Sequence, residues 1–311
     1  MKPPPIALAI HGGAGTIRRS EMTAEREAAY RAGLQAALDA GHSVLRSGGA
    51  ALEAVQASVL ALEDDPLFNA GRGAVFNDQG YNELEAAIMD GVTRAAGSVT
   101  GLRRVRNPVL LARAVMERTP HVTLGFEAAE AYAAALGLAL EPAEYFRTEA
   151  RWQALQSELA RLRAGGSDTE VSEAVKHGTV GAVALDTQGR LAAATSTGGR
   201  TAKWAGRVGD TPVIGAGTWA DERVAVSGTG HGEWFVRCAV AHDIAARMRH
   251  GASLSEACDQ VVMGELVRYG GSGGVIAVDA AGHVAMPFNC EGMYRAAVDA
   301  EGRCSVAIFG A

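Results

Sequence analysis

HGTVGAVALD, residues 177–186, sets a glycine directly before a β-branched alcohol at the mouth of an apolar run. Gly178 is the least restricted of backbone units, and Thr179 is among the stiffest. The run continues as VGAVALDTQGRLAAATSTGG (180–199), which reads as strand, a turn from Asp186 to Gly189, and strand. GGVIAVDAAGHVAMPFN (273–289) repeats the plan near the C-terminus. Two such meanders predict antiparallel sheets rather than parallel crossovers.

Working outward, Ile6 to Ile10 reads as a first strand ended by His11-Gly12-Gly13, followed by an Ala-rich helix over 24–46. Leu52, Val55, Val59 and Leu62 share one face of a second helix, which Pro66 and the glycines of NAGRG terminate. AVFNDQGYNELEAAIMDG (74–91) reads as two strands about a turn from Asn77 to Gly80. Pro108 opens a helix over 108–118. Further helices are expected over 125–137, 141–163, 233–250 and 253–268. Residues 164–176, small, polar and aperiodic, are the best linker candidate, and they end just before His177-Gly178-Thr179. Helices before and amid the meanders must cover both outer sheet faces. An α+β chain of two sheets between helical layers, an αββα sandwich, is the economical solution.

The 311 residues are 48% hydrophobic but only 5% aromatic, so Ala, Val, Leu and Ile must fill a sizeable core. A formal charge of −6, with no Lys/Arg-dense face, argues against nucleic-acid binding. No apolar run reaches membrane-spanning length, and the N-terminal one is too short for a signal peptide. Cys238, Cys258, Cys290 and Cys304 match no metal or redox spacing and read as reduced, mostly buried thiols of a cytoplasmic protein.

The usual chemical motifs are incomplete. HGGAGT (11–16) resembles a phosphate-cradling loop but lacks the Lys-Ser/Thr of a P-loop and the spacing of a dinucleotide site. A nucleotide-binding module using HGGAG and GGSGG (270–274) is therefore the rival reading from another class. The histidines show no zinc-site spacing, and there is no G-x-S-x-G elbow. What remains is a crowd of threonines beside glycines at strand ends: Thr179 after Gly178, Thr197 before Gly198-Gly199, and Thr229 before Gly230. A threonine hydroxyl needs a base, and an N-terminal threonine carries its own in an α-amine with a pKa of about 7.7–8. Cutting the chain between Gly178 and Thr179 would create such a terminus.

At this point the sequence resembles the isoaspartyl peptidase/L-asparaginase family, the plant-type asparaginases among the N-terminal-nucleophile (Ntn) hydrolases. The similarity rests on IHGGAG, PLFNAGRGAVF, GTVGAVALD, AAATSTGG, GRVGDTPVIGAG, TGHGE and GGSGG, in order and nearly end to end. The resemblance implies one αββα domain over 1–311, autocleaved into subunits 1–178 and 179–311, and a homodimer of such αβ units. It implies hydrolysis of L-asparagine and of β-aspartyl dipeptides. Thr179 would be nucleophile and, through its amine, base. Thr197 would tune it, Thr229 and Gly230 would hold the oxyanion, and Asn69 would assist. Arg207 would grip the α-carboxylate and Asp210 the α-ammonium, with Gly199, His231 and Gly232 lining the pocket. No cofactor is required. A structural sodium ion would sit on backbone carbonyls of Leu62, Glu63, Asp65, Phe68, Ala70 and Arg72. The related glycosylasparaginases carry Asp before the nucleophile where this chain has Gly178, which leaves that enzyme as the runner-up.

Overall fold

The computed structural model describes residues 5–166 and 178–310. Most of the expected linker, 167–176, lies outside the described residues, as does His177. The strands are β1 (Ala7–Gly15), β2 (Leu84–Asp90), β3 (Ala96–Leu102), β4 (Thr123–Gly125), β5 (Val180–Leu185), β6 (Leu191–Thr197), β7 (Thr218–Ala220), β8 (Val224–Gly230), β9 (Gly273–Asp279), β10 (Val284–Ala285), β11 (Gly292–Val298) and β12 (Cys304–Phe309). They form an eight-stranded sheet, β12-β11-β1-β5-β6-β2-β3-β4, and a four-stranded sheet, β10-β9-β8-β7. Each predicted meander is a hairpin, and each falls in a different sheet: β5–β6 in the larger, β9–β10 in the smaller.

Period-two alternation assigns the layers. Leu8 and Ile10 of β1, and Val180, Ala182 and Ala184 of β5, join one apolar cluster with the helices α1 (Ala24–Arg46), α2 (Ala51–Asp64) and α3 (Pro108–Arg118). Their neighbours Ala7, Ala9, Val183 and Leu185 join a second cluster with Ala225, Ile276 and Val278 of the smaller sheet. Val224, Val226, Val275 and Ala277 face the other way, onto helices α7 (Gly232–Cys238), α8 (Val240–Arg249) and α9 (Leu254–Asp259). Three apolar interfaces make four layers, the expected αββα sandwich. The sheet-on-sheet interface is built largely from alanines, which explains how so few aromatics suffice.

Local expectations differ from the structure in four places. β1 runs on through the glycines to Gly15, with a register shift between His11 and Gly13. The stretch before Asn77 makes only an isolated bridge, Phe76 to Asn82, instead of a strand. The helix expected over 141–163 is two, α5 (Ala143–Phe146) and α6 (Glu149–Arg163), with Thr148 capping the second. The helix expected over 233–250 breaks between α7 and α8 at Ala239, which adopts φ 46°. α4 (Phe126–Ala135) completes the helices before the linker, and α9 continues through one wide turn into α10 (Leu266–Arg268). Of the cysteines, none is paired; Cys258 is buried but Cys304 is exposed.

α1 and α2 cross where Gly41 leaves room. A Cβ there would strike Ser58 Oγ and lie 2.8 Å from the Ala54 carbonyl oxygen and 3.0 Å from Leu8. Gly41→Ala should therefore destabilise the fold by about 1–3 kcal/mol, because overpacking outweighs the roughly 1 kcal/mol alanine gains in a helix. Denaturant unfolding of the two proteins checks this; equal or higher stability of the variant would show slack at the crossing.

Candidate active site

β5 and β6 are adjacent antiparallel strands in which Val180 pairs with Ser196, so the residues just outside that pair, Thr179 and Thr197, meet at the sheet end. Thr179 Oγ1 donates to Thr197 Oγ1 at 3.3 Å, and Thr197 Oγ1 also accepts from the Gly199 N–H at 2.9 Å. Both threonines are buried. Asn69 braces the turn beyond Thr197: its amide donates to the Gly199 carbonyl at 2.6 Å and its side-chain oxygen accepts from Val75 N–H at 2.9 Å.

The second sheet brings Thr229 from the other side. A Cβ built on Gly178 would lie 2.5 Å from Thr229 Oγ1 and 3.1 Å from Ala14 N. A Cβ on Gly13, whose φ is +113°, would lie 3.1 Å from the Gly178 carbonyl carbon. The Gly178–Thr179 bond is thus clasped between β1 and β8, and both glycines are demanded by close approach. Thr229 Oγ1 accepts from Ala14 N–H at 3.1 Å, which leaves its own proton free to donate. Gly230 ends β8 at φ +148° and pairs with Gly273. HGGAG is therefore extended backbone paired to β11 and β5, with Gly12 making way for the Phe68 ring. Its glycines serve packing and close approach, which removes the main support for the nucleotide-binding reading.

Arg207 and Asp210 converge on Gly232, where a Cβ would lie 2.8 Å from Arg207 Nη2 and 2.7 Å from Asp210 Oδ1. The Arg207 guanidinium meets Glu233 Oε1 at 2.9 Å through both Nε and Nη2. Burial works against the Glu233 charge, but Arg207 holds its carboxyl below the usual range. Asp210 is nearly inaccessible, and its Oδ2 has no hydrogen-bond partner. Burial, with Glu85 and Glu233 nearby, pushes its pKa up to about 7 against the pull of Arg207. A carboxylate and a guanidinium side by side match the two charges of a zwitterion. His231, half-buried at the start of α7, lies 3.7 Å from Glu233. Gly199 takes φ +82° against Lys203.

Sequence reasoning missed Glu85 and Glu233. Glu85 is buried on β2 and accepts from Gly209 N–H at 3.1 Å, fixing the loop between Arg207 and Asp210. The detectable signal was a charged residue in the apolar frame of ELEAAIMD.

The loop 62–72 curls tightly after α2. Carbonyl oxygens of Glu63 and Phe68 come up against Gly71 and Gly73, while those of Asp65 and Ala70 accept N–H groups of Phe68 and Gly73 at 3.2 and 3.1 Å. Each such oxygen keeps a second lone pair. The Glu63 carboxyl does not suit a cation ligand, because burial raises its pKa to about 8 despite its bonds from Ser196 and Val109. Leu62 ends buried in α2, and the exposed Arg72 side chain lies over Tyr145. Among the described residues no group of three His, Cys, Asp or Glu side chains could hold a metal ion.

The asparaginase family profile matches residues 4–308. The isoaspartyl peptidase of Escherichia coli is 51% identical over 296 residues, covering 93% of this chain and 91% of its own. A putative isoaspartyl peptidase/L-asparaginase of Dictyostelium discoideum is 45% identical, covering 96% of this chain and 94% of its own. The isoaspartyl peptidase/L-asparaginase of Homo sapiens is 42% identical, covering 89% and 88%. With its sandwich fold and its threonines gathered at one strand end, the chain belongs to the asparaginase family of Ntn hydrolases.

Proposed function

We propose that this chain is an isoaspartyl peptidase/L-asparaginase that activates itself by cleavage at Gly178–Thr179. It hydrolyses L-asparagine to L-aspartate and ammonia and releases the second residue of β-aspartyl dipeptides. The observation that carries this reading is the clasp on the Gly178–Thr179 bond, with Thr197 3.3 Å from the Thr179 hydroxyl and Thr229 against Gly178.

In maturation the Thr179 oxygen attacks the Gly178 carbonyl carbon, the peptide becomes an ester, and water hydrolyses it. Subunits 1–178 and 179–311 result, and Thr179 gains a free α-amine. In turnover that amine takes the hydroxyl proton as Thr179 Oγ1 attacks the side-chain carbonyl carbon of the substrate. The Thr229 hydroxyl, already accepting from Ala14, donates to the oxyanion together with the Gly230 N–H. Donors of this kind contribute about 2.7–4 kcal/mol each to lowering the barrier. The amine returns its proton to the leaving nitrogen, and water then resolves the acyl-enzyme to aspartate.

Arg207 takes the substrate α-carboxylate as a fork, and the Asp210 carboxylate takes the α-ammonium. Gly199 and Gly232 supply room and backbone, His231 lines the pocket, and Asn69 keeps Thr197 in place through Gly199. No cofactor enters the chemistry. A sodium ion on the carbonyls of Leu62, Glu63, Asp65, Phe68, Ala70 and Arg72 would brace the loop beneath Asn69. Four unpaired cysteines suit a cytoplasmic enzyme, and a homodimer of αβ units is the expected assembly.

Thr179→Ala should remain one chain of full mass and be inactive, because the same hydroxyl serves both steps; intact-mass analysis showing fragments would refute the assignment. Arg207→Ala should mature normally yet raise KM for asparagine and dipeptides alike, by about tenfold or more, the scale of a lost charge-assisted hydrogen bond. Steady-state kinetics on both substrates measure this, and an unchanged kcat/KM would reduce Arg207 to a surface charge.

The pH dependence follows from Asp210. Its pKa is raised to about 7, so the free enzyme carries the neutral acid below that pH and the carboxylate above it. Capturing an ammonium needs the carboxylate. KM should therefore climb as pH falls below about 7, and Asp210→Asn should have a uniformly high, flat KM. A wild-type KM that stays flat through this range would place the ammonium elsewhere.

A further inference from the structure

Behind Thr179 lies a buried polar chain that none of the roles above uses. His11 Nδ1 is 3.0 Å from the Thr179 carbonyl oxygen and His11 Nε2 is 2.9 Å from Ser227 Oγ. Ser227 Oγ is 2.7 Å from Thr195 Oγ1, which is 2.7 Å from Thr218 Oγ1. All four side chains are completely buried, between two sheets whose shared interface is otherwise apolar. The chain crosses β1, β8, β6 and β7, so it stitches the larger sheet to the smaller one at the nucleophile.

Elimination fixes the direction at its His11 end. A carbonyl oxygen only accepts, so Nδ1 must carry the imidazole proton toward Thr179. Burial drives the His11 pKa down to about 3, so the ring is neutral and Nε2 has only a lone pair. Ser227 must then donate to Nε2, which leaves its oxygen to accept from Thr195, and Thr195 to accept from Thr218. The Thr195 hydroxyl also lies 3.3 Å from the Gly217 carbonyl oxygen and the Thr218 hydroxyl 3.2 Å from that of Thr211, so the two threonines are further tied to the loop before β7. Gly181 makes the junction feasible: a Cβ there would strike Ser227 Oγ and lie 2.5 Å from His11 Nε2. The glycine inside an otherwise apolar strand thus has a specific cause.

We propose that His11 is a positioning residue for the nucleophile, acting through the Thr179 carbonyl. Thr179 sits one residue before the first ladder pair of β5, Val180 with Ser196, and on its other side lies the bond to be cut, so its peptide plane is held less firmly than those within the strand. The His11 donor holds that plane, and with it the rotation that aims the hydroxyl at Thr197 and Gly178. After cleavage the same bond would still hold the carbonyl of the new terminal residue. The proposal rests on the reading of Thr179 as the nucleophile, and it adds a residue that touches neither substrate nor the reacting atoms.

Two polar replacements separate the two sides of the ring. The amide of Asn reaches about as far as Nδ1, and that of Gln about as far as Nε2. His11→Asn keeps a donor for Thr179; His11→Gln keeps the partner of Ser227 and loses the tether. Cleavage is followed by intact mass, and kinetics are normalised to the cleaved fraction. His11→Asn should mature and turn over within about threefold of wild type. His11→Gln should mature more slowly and lose about tenfold to a hundredfold in kcat, the scale of a nucleophile misplaced by a fraction of an ångström, while KM for asparagine stays put. KM is the decisive control, because Arg207 and Asp210 are untouched and a general loosening would move it as well. Equal behaviour of the two variants, rescue by Gln instead of Asn, or a matching rise in KM would overturn the proposal. Thr179→Ala run in parallel separates the two readings: if it still cleaves or turns over, the nucleophile assignment fails first; if it does not, the Asn/Gln comparison judges His11 alone.

Discussion

A strand that pairs on both edges opens immediately after Thr179, the proposed nucleophile, and much of the molecule follows from that placement. β5 lies between β1 and β6 in the middle of an eight-stranded sheet, buried on both faces. Its first residues cannot shift without tearing two ladders. The chemistry must therefore come to Thr179, and it does: Thr197 along the neighbouring strand, Thr229 across the gap between sheets, Gly13 from β1. Glycines at 13, 178 and 181 are the consequence, since each marks a place where backbone or side chain approaches closer than a Cβ allows.

Charge is handled in the same economical way. Arg207, Asp210, Glu233 and Glu85 crowd one pocket, and only some of their charges are neutralised internally. Leaving an oxygen of Asp210 unpartnered costs stability, of the order of 1–3 kcal/mol for a buried polar group without a partner. On the proposed reading a substrate ammonium would return that cost on binding, and the free pocket would select a molecule carrying both charges.

How far the sequence revealed this depended on how local the cause was. The start of α3 followed from Pro108 and the span of α1 from its composition, because caps and propensities act over a few residues. The meeting of Thr179 and Thr197 was legible only through the family resemblance; in the structure the short turn between Asp186 and Gly189 sets the register of β5 on β6 that produces it. β1 was cut short because glycine normally ends a strand, whereas Gly12 exists for Phe68 and Gly13 for Gly178, both far along the chain. The break at Ala239 has no glycine or proline to announce it. Glu85 and Glu233 escaped notice because a buried carboxylate and a surface one look alike until their partners in space are known. His11 was noticed only as part of a glycine-rich motif; its partners at 179 and 227 lie at the other end of the fold.

The strand order of the larger sheet bears on the lifetime of the molecule. β1, from before Gly178, is inserted between β5 and β11, both from after it, while β6 continues directly into β2. Two pieces made by cleavage would be woven together like interlaced fingers, and the smaller sheet would belong wholly to the second. Such an enzyme can fold only as one chain and persists only as two. Once pulled apart, the pieces would have to find each other in solution, with no covalent loop to keep their strands at high local concentration. Its endurance would then be set by how slowly it first opens, a barrier in time rather than a difference in free energy.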